Sequence, residues 1–239
     1  MLLPRGIAFN ASATSVRRPP PLAHNRPMLP APAIAPLTFL LIAAAYLLGS
    51  LSVGRVLARL HGARPGTGSG ESGTVLRRRS ITVVRLGFDI GKGALAAWLA
   101  LRHAPVGDAL SVTAHGYLAA FAAVLGHTWP IWHRFRGGAP TAVLVGGLLV
   151  LWPVGLAAWV IAGLLVWLLS GHPGLALVLG ALCVLLLAWW GGADPPRLWF
   201  AGCAVLLLAL VQRQHLWRLW TGTEPRFARA RRLHRWRRR

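Results

Sequence analysis

The chain has 239 residues, 55% of them hydrophobic and only 13% charged, with a mean hydropathy of +0.55. That is too apolar for an ordinary soluble domain and implies an integral membrane protein. The formal charge of +21 comes from 26 basic residues against five acids; because the arginines lie between apolar runs, and not across a soluble face, they exclude a nucleic-acid module and point to anionic membrane lipids.

Residues 1–32 are rich in proline, alanine and arginine and lack apolar periodicity, which predicts a disordered N-terminal extension. A signal peptide is a poor reading, since the apolar run begins only near Pro32 and continues for a full span. The first span runs from about Ala33 to Val53 and is followed by Arg55, Arg59 and Arg64. Next comes GTGSGESGTVLRRR, Gly66 to Arg79. Its glycines allow successive backbone N–H groups to turn toward one ligand as an anion nest, and Arg77, Arg78 and Arg79 add permanent charge and bidentate hydrogen bonding. The plain alternative is a positive-inside loop.

A second span, about Ile81 to Leu101, carries Arg85, Asp89 and Lys92 at membrane depth, where ionisable groups are costly. Asp89 and Lys92 stand three apart on one helix face, either as an internal ion pair that makes the span tolerable or as groups that line or brace a site. A third span, about Ala109 to Leu125, leads into a second glycine- and arginine-bearing loop, Gly126 to Gly138. From Thr141 to about Val211, breaks at Pro153, Ser170–Gly174 and Gly191–Arg197 give four short helices, near 141–152, 154–169, 174–190 and 198–211. The membrane domain therefore extends over 33–224, and a basic tail, 225–239, lies on anionic headgroups.

The fold class is an all-α, polytopic helical bundle with about seven transmembrane helices, or five if short helices fuse in pairs. The basic 55–79 loop, the 127–138 loop and the tail belong on the cytoplasmic side, which puts the N-terminus outside. Arg5, Arg17, Arg18 and Arg26 conflict with that, and translation from Met28 would remove the conflict. Cys183 and Cys203 are isolated and read as inert packing thiols. His133, His172 and His115 show no ligand spacing with carboxylates, so no metal is expected. Gly68 to Gly73 reads G-x-G-x-x-G without a preceding strand, which argues against a dinucleotide fold. His103 to Asp108 reads H-x-x-x-x-D on an external turn without supporting motifs and is taken as coincidence.

The order and wording of the basic stretches resemble the bacterial acyl-phosphate:glycerol-3-phosphate acyltransferases of the PlsY type. Gly49, Ser50, Ser52 and Gly54 fit that family's glycine-serine opening. GSGESGTVLRRR keeps Gly68, Ser69, Gly70, Gly73 and Arg79 of its first motif, and Asp89, Lys92 and Gly93 keep a D-x-x-K-G. GHTWPIWHRFRGGAP keeps Gly126, His127, Pro130, Phe135, Gly137 and Gly138 of the second. QRQHLWRLWTGTE keeps Arg213, Arg218, Leu219, Gly222 and Glu224 of the third. The resemblance covers about Thr38 to Glu224. It departs from the pattern at Glu71 in place of asparagine, at Thr74, Val75 and Leu76, at Ala139 and Pro140 in place of Lys-Gly, at Gly174, and at His215 in place of asparagine.

The resemblance implies transfer of a fatty acyl group from acyl phosphate to the 1-hydroxyl of sn-glycerol 3-phosphate, giving lysophosphatidic acid, in the bacterial inner membrane with the site on the cytoplasmic face and no cofactor. It implies His127, Lys92 and Arg218 as catalytic candidates. Gly68, Ser69, Gly70, Gly73, Arg79, Arg136, Gly137, Gly138, Arg213 and His215 become candidates for holding phosphate and substrate. An acyl phosphate already carries a good leaving group, so positioning two anions and stabilising developing charge are the main tasks. His127 is either a base or a hydrogen-bonding group. A homologue that binds a lipid or phosphorylated ligand without turnover is the other reading; Glu71, Ala139 and His215 favour it, while Arg79, Lys92 and Arg218 favour an enzyme.

Overall fold

Helix starts and stops follow local chemistry that the sequence displays openly. In the computed structural model, which describes residues 34–51 and 75–223 and only the backbone of 75–81, the elements are α1 (Pro36–Ser50), α2 (Val75–Arg102), α3 (Val112–Thr128), a 3₁₀ turn (Ile131–His133), α4 (Thr141–Leu151), α5 (Pro153–Ser170), α6 (Pro173–Trp190), α7 (Pro195–Val211) and α8 (Arg213–Trp220). Among the described residues there is no strand. Proline opens α1, α5, α6 and α7, where its fixed φ suits the first turn and its missing N–H costs nothing. Ser111 caps α3, accepting from the Ala114 N–H at 3.2 Å. Gly171 ends α5 in the left-handed region at φ 76°.

The bundle is small inside and large outside. α3 packs against α1, α2, α4 and α7, and its buried residues include Ala119, Ala120, Ala122, Ala123 and Gly126. A Cβ on Gly49 would overlap the Ala123 carbonyl, and one on Gly126 the Tyr46 carbonyl, so α1 and α3 meet backbone to backbone. Gly93 on α2 and Gly146 on α4 do the same against Val143 and Ile90. Lipid offers no hydrophobic drive for helix association, so close approach through small residues supplies it as dispersion. Leu, Ile, Val and Trp side chains such as Leu40, Ile161, Leu169 and Trp189 point outward.

These contacts set helix direction. Thr38 meets His115, Gly49 meets Ala123 and Tyr46 meets Gly126, so α1 and α3 are parallel. Arg85 lies near Gly138, Gly93 near Val143, and Leu101 and Leu151 both touch Gly116; α2 and α4 are therefore parallel. Gly163 faces Ala176 and Gly180 faces Trp159, which makes α5 and α6 an antiparallel hairpin, with α7 packed on α6.

The end of the bundle opposite His127 is closed by two polar clamps. The Thr38 hydroxyl donates to Asp108 Oδ2, which lies 3.0 Å from His115 Nε2, and His115 Nδ1–H donates to the Ser111 carbonyl at 2.8 Å. The Thr38 hydrogen bond is the main reason the Asp108 carboxyl is held down to about 2. Nearby, Arg197 donates to the Tyr117 hydroxyl at 3.2 Å, pairs with Asp194 at 3.3 Å and stacks over Trp152. The H-x-x-x-x-D spacing thus has a structural explanation unrelated to catalysis: Asp108 is bound to Thr38 and His115, and His103 is exposed.

Several expectations need correction. α2 is already helical at Val75, the first described residue of this segment and six residues before the expected span, because arginine and leucine propagate a helix nearly as well as alanine does; an apolar run marks where membrane begins, not where helix begins. α3 continues through Gly126, His127 and Thr128 and stops at Trp129, whose helical conformation is disfavoured by Pro130. Cys183 is exposed on α6 and not packed, while Cys203 is half-buried. By length and composition α5 and α6 qualify alone as crossings, and α7 joins them only if counted with α8, from which it is bent by 66°. α1 and α4 are shorter apolar helices. The expected disordered extension, the 55–64 arginines and the tail lie outside the described residues.

Candidate active site

The charged groups of α2 converge with the end of α3 at one end of the bundle. Residues 82–88 of α2 are exposed, and Asp89 is the first buried one; from there the buried stripe runs through Lys92, Gly93, Ala96, Ala97 and Ala100. The helix therefore enters the bundle at a carboxylate. Asp89 Oδ1 accepts from Lys92 Nζ at 3.0 Å and lies 3.6 Å from His127 Nδ1. Its Oδ2 lies 3.7 Å from Arg85 Nε. Lys92 Nζ also donates to the Leu51 carbonyl, just past the end of α1, so one ammonium ties α1 to α2. Asp89 and Lys92 are 6% and 5% exposed, a burial that is tolerable only because each has a charged or hydrogen-bonded partner.

The second loop folds back onto this group. The Gly137 and Gly138 N–H groups donate to the carbonyls of Thr128 at 3.2 Å and His127 at 3.1 Å, so the loop caps the helix that it leaves. Phe135 N–H donates to the Pro130 carbonyl at 3.1 Å, and the Tyr46 hydroxyl to the Trp129 carbonyl at 2.8 Å. Arg134 and Phe135 turn the chain at φ 50° and 59°, a left-handed pair that non-glycine residues adopt at a cost of about 1–2 kcal/mol each. Gly138 has no such φ; it is small because a Cβ there would stand 2.6 Å from His127 Nε2 and 3.3 Å from an Arg85 guanidinium nitrogen. The result is an imidazole held between a carboxylate and a glycine, with cations on two sides.

His127, Lys92, Gly137 and Gly138 are thus brought together. Arg136 is exposed on the same loop. Arg213, His215 and Arg218 are exposed on α8, which packs on α6 and α7, with His215 against Gly174. Arg79 lies on the backbone of α2, and Gly68, Ser69, Gly70 and Gly73 lie outside the described residues. Sequence reasoning allows Asp89 to line or brace a site but leaves it and Arg85 out of the catalytic and substrate-holding candidates, although both stand against His127 and Gly138. The available signal is the 85, 89, 92 spacing: one acid flanked by cations four before and three after, all on one helix face.

A model of the glycerol-3-phosphate acyltransferase family matches residues 39–222. The chain belongs to that family. A glycerol-3-phosphate acyltransferase of Nitrobacter winogradskyi is 38% identical over 188 residues, covering 76% of this chain and 91% of the relative. One of Rhodospirillum rubrum is 39% identical over 197 residues, covering 77% and 88%. The fold is similar to the crystal structure of PlsY, an integral membrane glycerol 3-phosphate acyltransferase, in its glycerol 3-phosphate form: 25% identity, TM-score 0.66, and coverage of 82% of this chain and 98% of that one. Its lysophosphatidic acid form gives a TM-score of 0.67. This member of the glycerol-3-phosphate acyltransferase family is accordingly a membrane enzyme, with helices and no strand among the described residues, and Asp89, Lys92, His127 and Gly138 form the polar centre at one end of its bundle.

Proposed function

We propose that the chain transfers a fatty acyl group from acyl phosphate to the 1-hydroxyl of sn-glycerol 3-phosphate, forming lysophosphatidic acid and phosphate. The observation that carries this reading is the family membership together with the buried Asp89–Lys92–His127 group against Gly138. The alcohol attacks the acyl carbonyl, the C–O bond to phosphate breaks, and the proton leaves the alcohol for His127 or for the departing phosphate. Asp89 orients the His127 ring, and Lys92 is better placed to hold Asp89 and the end of α1 than to touch substrate. Gly68, Ser69, Gly70, Gly73 and Arg79 hold one phosphate. Arg136, Gly137, Arg213, His215 and Arg218 serve the other, with Arg136 standing in for the lysine that Ala139 replaces.

The membrane arrangement belongs to the same proposal. Helix directions alternate so that α1 to α7 make seven crossings, with the N-terminus outside, α8 at the interface, and the site facing the cytoplasm of a bacterial inner membrane. Exposed Trp217 and Trp220 beside Arg213 and Arg218 suit a headgroup-level helix. Residues 1–32 are an extension, 33–224 the enzyme and 225–239 a lipid-binding tail. Purified protein in detergent or lipid, given acyl phosphate and glycerol 3-phosphate, should release lysophosphatidic acid and inorganic phosphate in equal amounts. Ligand binding without product would identify the non-turnover homologue instead.

A further inference from the structure

Arg85 carries charge from α2 to the turn that follows α3, and the acyl-transfer chemistry above gives it no task. Its side chain is 53% exposed, against 6% for Lys92, so of the two α2 cations on Asp89 it is the one open to a substrate. One edge of its guanidinium is held: Nε lies 3.7 Å from Asp89 Oδ2, one turn along the same helix face. The other edge reaches the second loop. The place that a Cβ on Gly138 would take lies 3.3 Å from Arg85 Nη2 and 2.6 Å from His127 Nε2.

Two groups from different helices therefore border one small corner. His127 turns Nδ1 to Asp89 Oδ1 and Nε2 to the corner, and the guanidinium fork stands beside that second nitrogen. Gly138 keeps the corner free of a side chain, and Ala139, the next residue, brings no charge to it. An arginine at the membrane surface ordinarily meets water or an anionic headgroup; this one ends beside the imidazole. Asp89 sets both partners, the ring through one carboxylate oxygen and the guanidinium through the other.

The order of bonds in the substrates decides which anion belongs there. With the 1-hydroxyl of glycerol 3-phosphate at His127 Nε2, its nearest neighbour is the acyl carbon under attack, and the donor's phosphate is joined to that carbon through a single oxygen. The acceptor's own phosphate sits on C3, two carbons away from the reacting one. We propose that Arg85 is a ligand of the donor's phosphate, its Nη groups donating to the phosphate oxygens while Asp89 holds the Nε edge. As the acyl C–O bond breaks, its electron pair passes to the departing phosphate, and the guanidinium meets the charge that collects there. The proposal rests on the acyl-transfer reading above.

The test is steady-state kinetics of purified wild type, Arg85→Gln and Arg85→Lys with hexadecanoyl phosphate and glycerol 3-phosphate. Beside it, direct binding is measured for a donor analogue in which a methylene replaces the bridging oxygen, so that transfer cannot occur. Arg85→Gln should lower kcat/KM for the donor by about tenfold to a hundredfold, the worth of hydrogen bonds to a charged group, and weaken analogue binding. The KM for glycerol 3-phosphate and the unfolding midpoint should stay at their wild-type values, because an exposed ion pair adds little stability. Arg85→Lys, which keeps the charge without the fork, should fall between. Wild-type kinetics in Arg85→Gln would overturn the assignment. So would a change confined to the KM for glycerol 3-phosphate, which places Arg85 on the acceptor, or an equal loss toward both substrates with a lower unfolding midpoint, which leaves it a brace. A wild type that binds the analogue through Arg85 yet transfers nothing would keep this ligand and remove the acyl-transfer reading instead.

Discussion

At the scale of single residues, the polar centre depends on what is missing as much as on what is present. Gly138 leaves the His127 imidazole its position; an added methyl would stand 2.6 Å from Nε2 and force the ring away from Asp89. Gly138→Ala should therefore lower kcat/KM by roughly tenfold to a hundredfold, the scale of misplacing a reacting group by a fraction of an ångström to one ångström, while thermal stability changes by no more than about 1–3 kcal/mol. Lys92→Met should act differently. It strips a buried carboxylate of its nearest cation and frees the Leu51 carbonyl, at a cost of about 3–5 kcal/mol, read as a lower unfolding midpoint in detergent. The Asp108 clamp predicts a pH signature. Its carboxyl is depressed to about 2, so the stability it contributes is complete above the ordinary carboxylate value of about 3.9 and is lost as pH falls through about 2. The gap in unfolding midpoint between wild type and Asp108→Asn should stay constant from neutral pH to about 4 and then close. Glycerol 3-phosphate affinity should not change, because the clamp is at the opposite end of the bundle.

At the scale of helices, the elements were legible and their glycines were not. The breaks at Pro153, Ser170–Gly174 and Gly191–Arg197 fall where α4 to α7 are separated, because proline and left-handed glycine act locally and a sequence displays them directly. Gly126, Gly137 and Gly138 look like turn residues for the same reason, yet none of them has a positive φ. They are contact glycines, pressed against Tyr46, Thr128 and His127. Nothing in a single chain distinguishes the two uses, since the neighbour that excludes a Cβ lies some 80 residues away in the Tyr46–Gly126 case. Asp89 is opaque for a related reason: its pairing with Lys92 is local and readable, whereas its approach to His127 is set by how α2 and α3 pack. The α2–α4 contact gives a direct test. Gly146→Leu puts bulk against the Ile90 carbonyl, and it should destabilise by about 1–3 kcal/mol and reduce activity without any change to a polar group. Gly202→Leu on α7, where nothing lies within 4 Å of an added Cβ, should leave both unaltered.

At the scale of the whole molecule, the two bundle ends differ in chemistry. One gathers His127, Arg85, Lys92 and the arginine-bearing loop; the other is closed by Asp108, His115, Arg197 and Asp194. If the seven-crossing arrangement holds, these ends face opposite compartments. In a background carrying Cys183→Ala and Cys203→Ala, a membrane-impermeant maleimide added to intact cells should label His103→Cys, while Trp132→Cys should label only after permeabilisation. Labelling of both under the same condition would rule out the topology. Because alanine and glycine predominate at the buried positions of α2 and α3 while leucine, valine and tryptophan coat the outside, tolerance to substitution along that seam should run opposite to that of a water-soluble enzyme. Bulky side chains on the bundle's rind are interchangeable so long as they stay oily, and drift among relatives should accumulate there. The smallest residues of that seam are the least replaceable, so a mutational scan should find enlargement at Gly49, Gly93 and Gly126, each pressed against a neighbouring backbone, punished more heavily than any swap among the oily side chains outside.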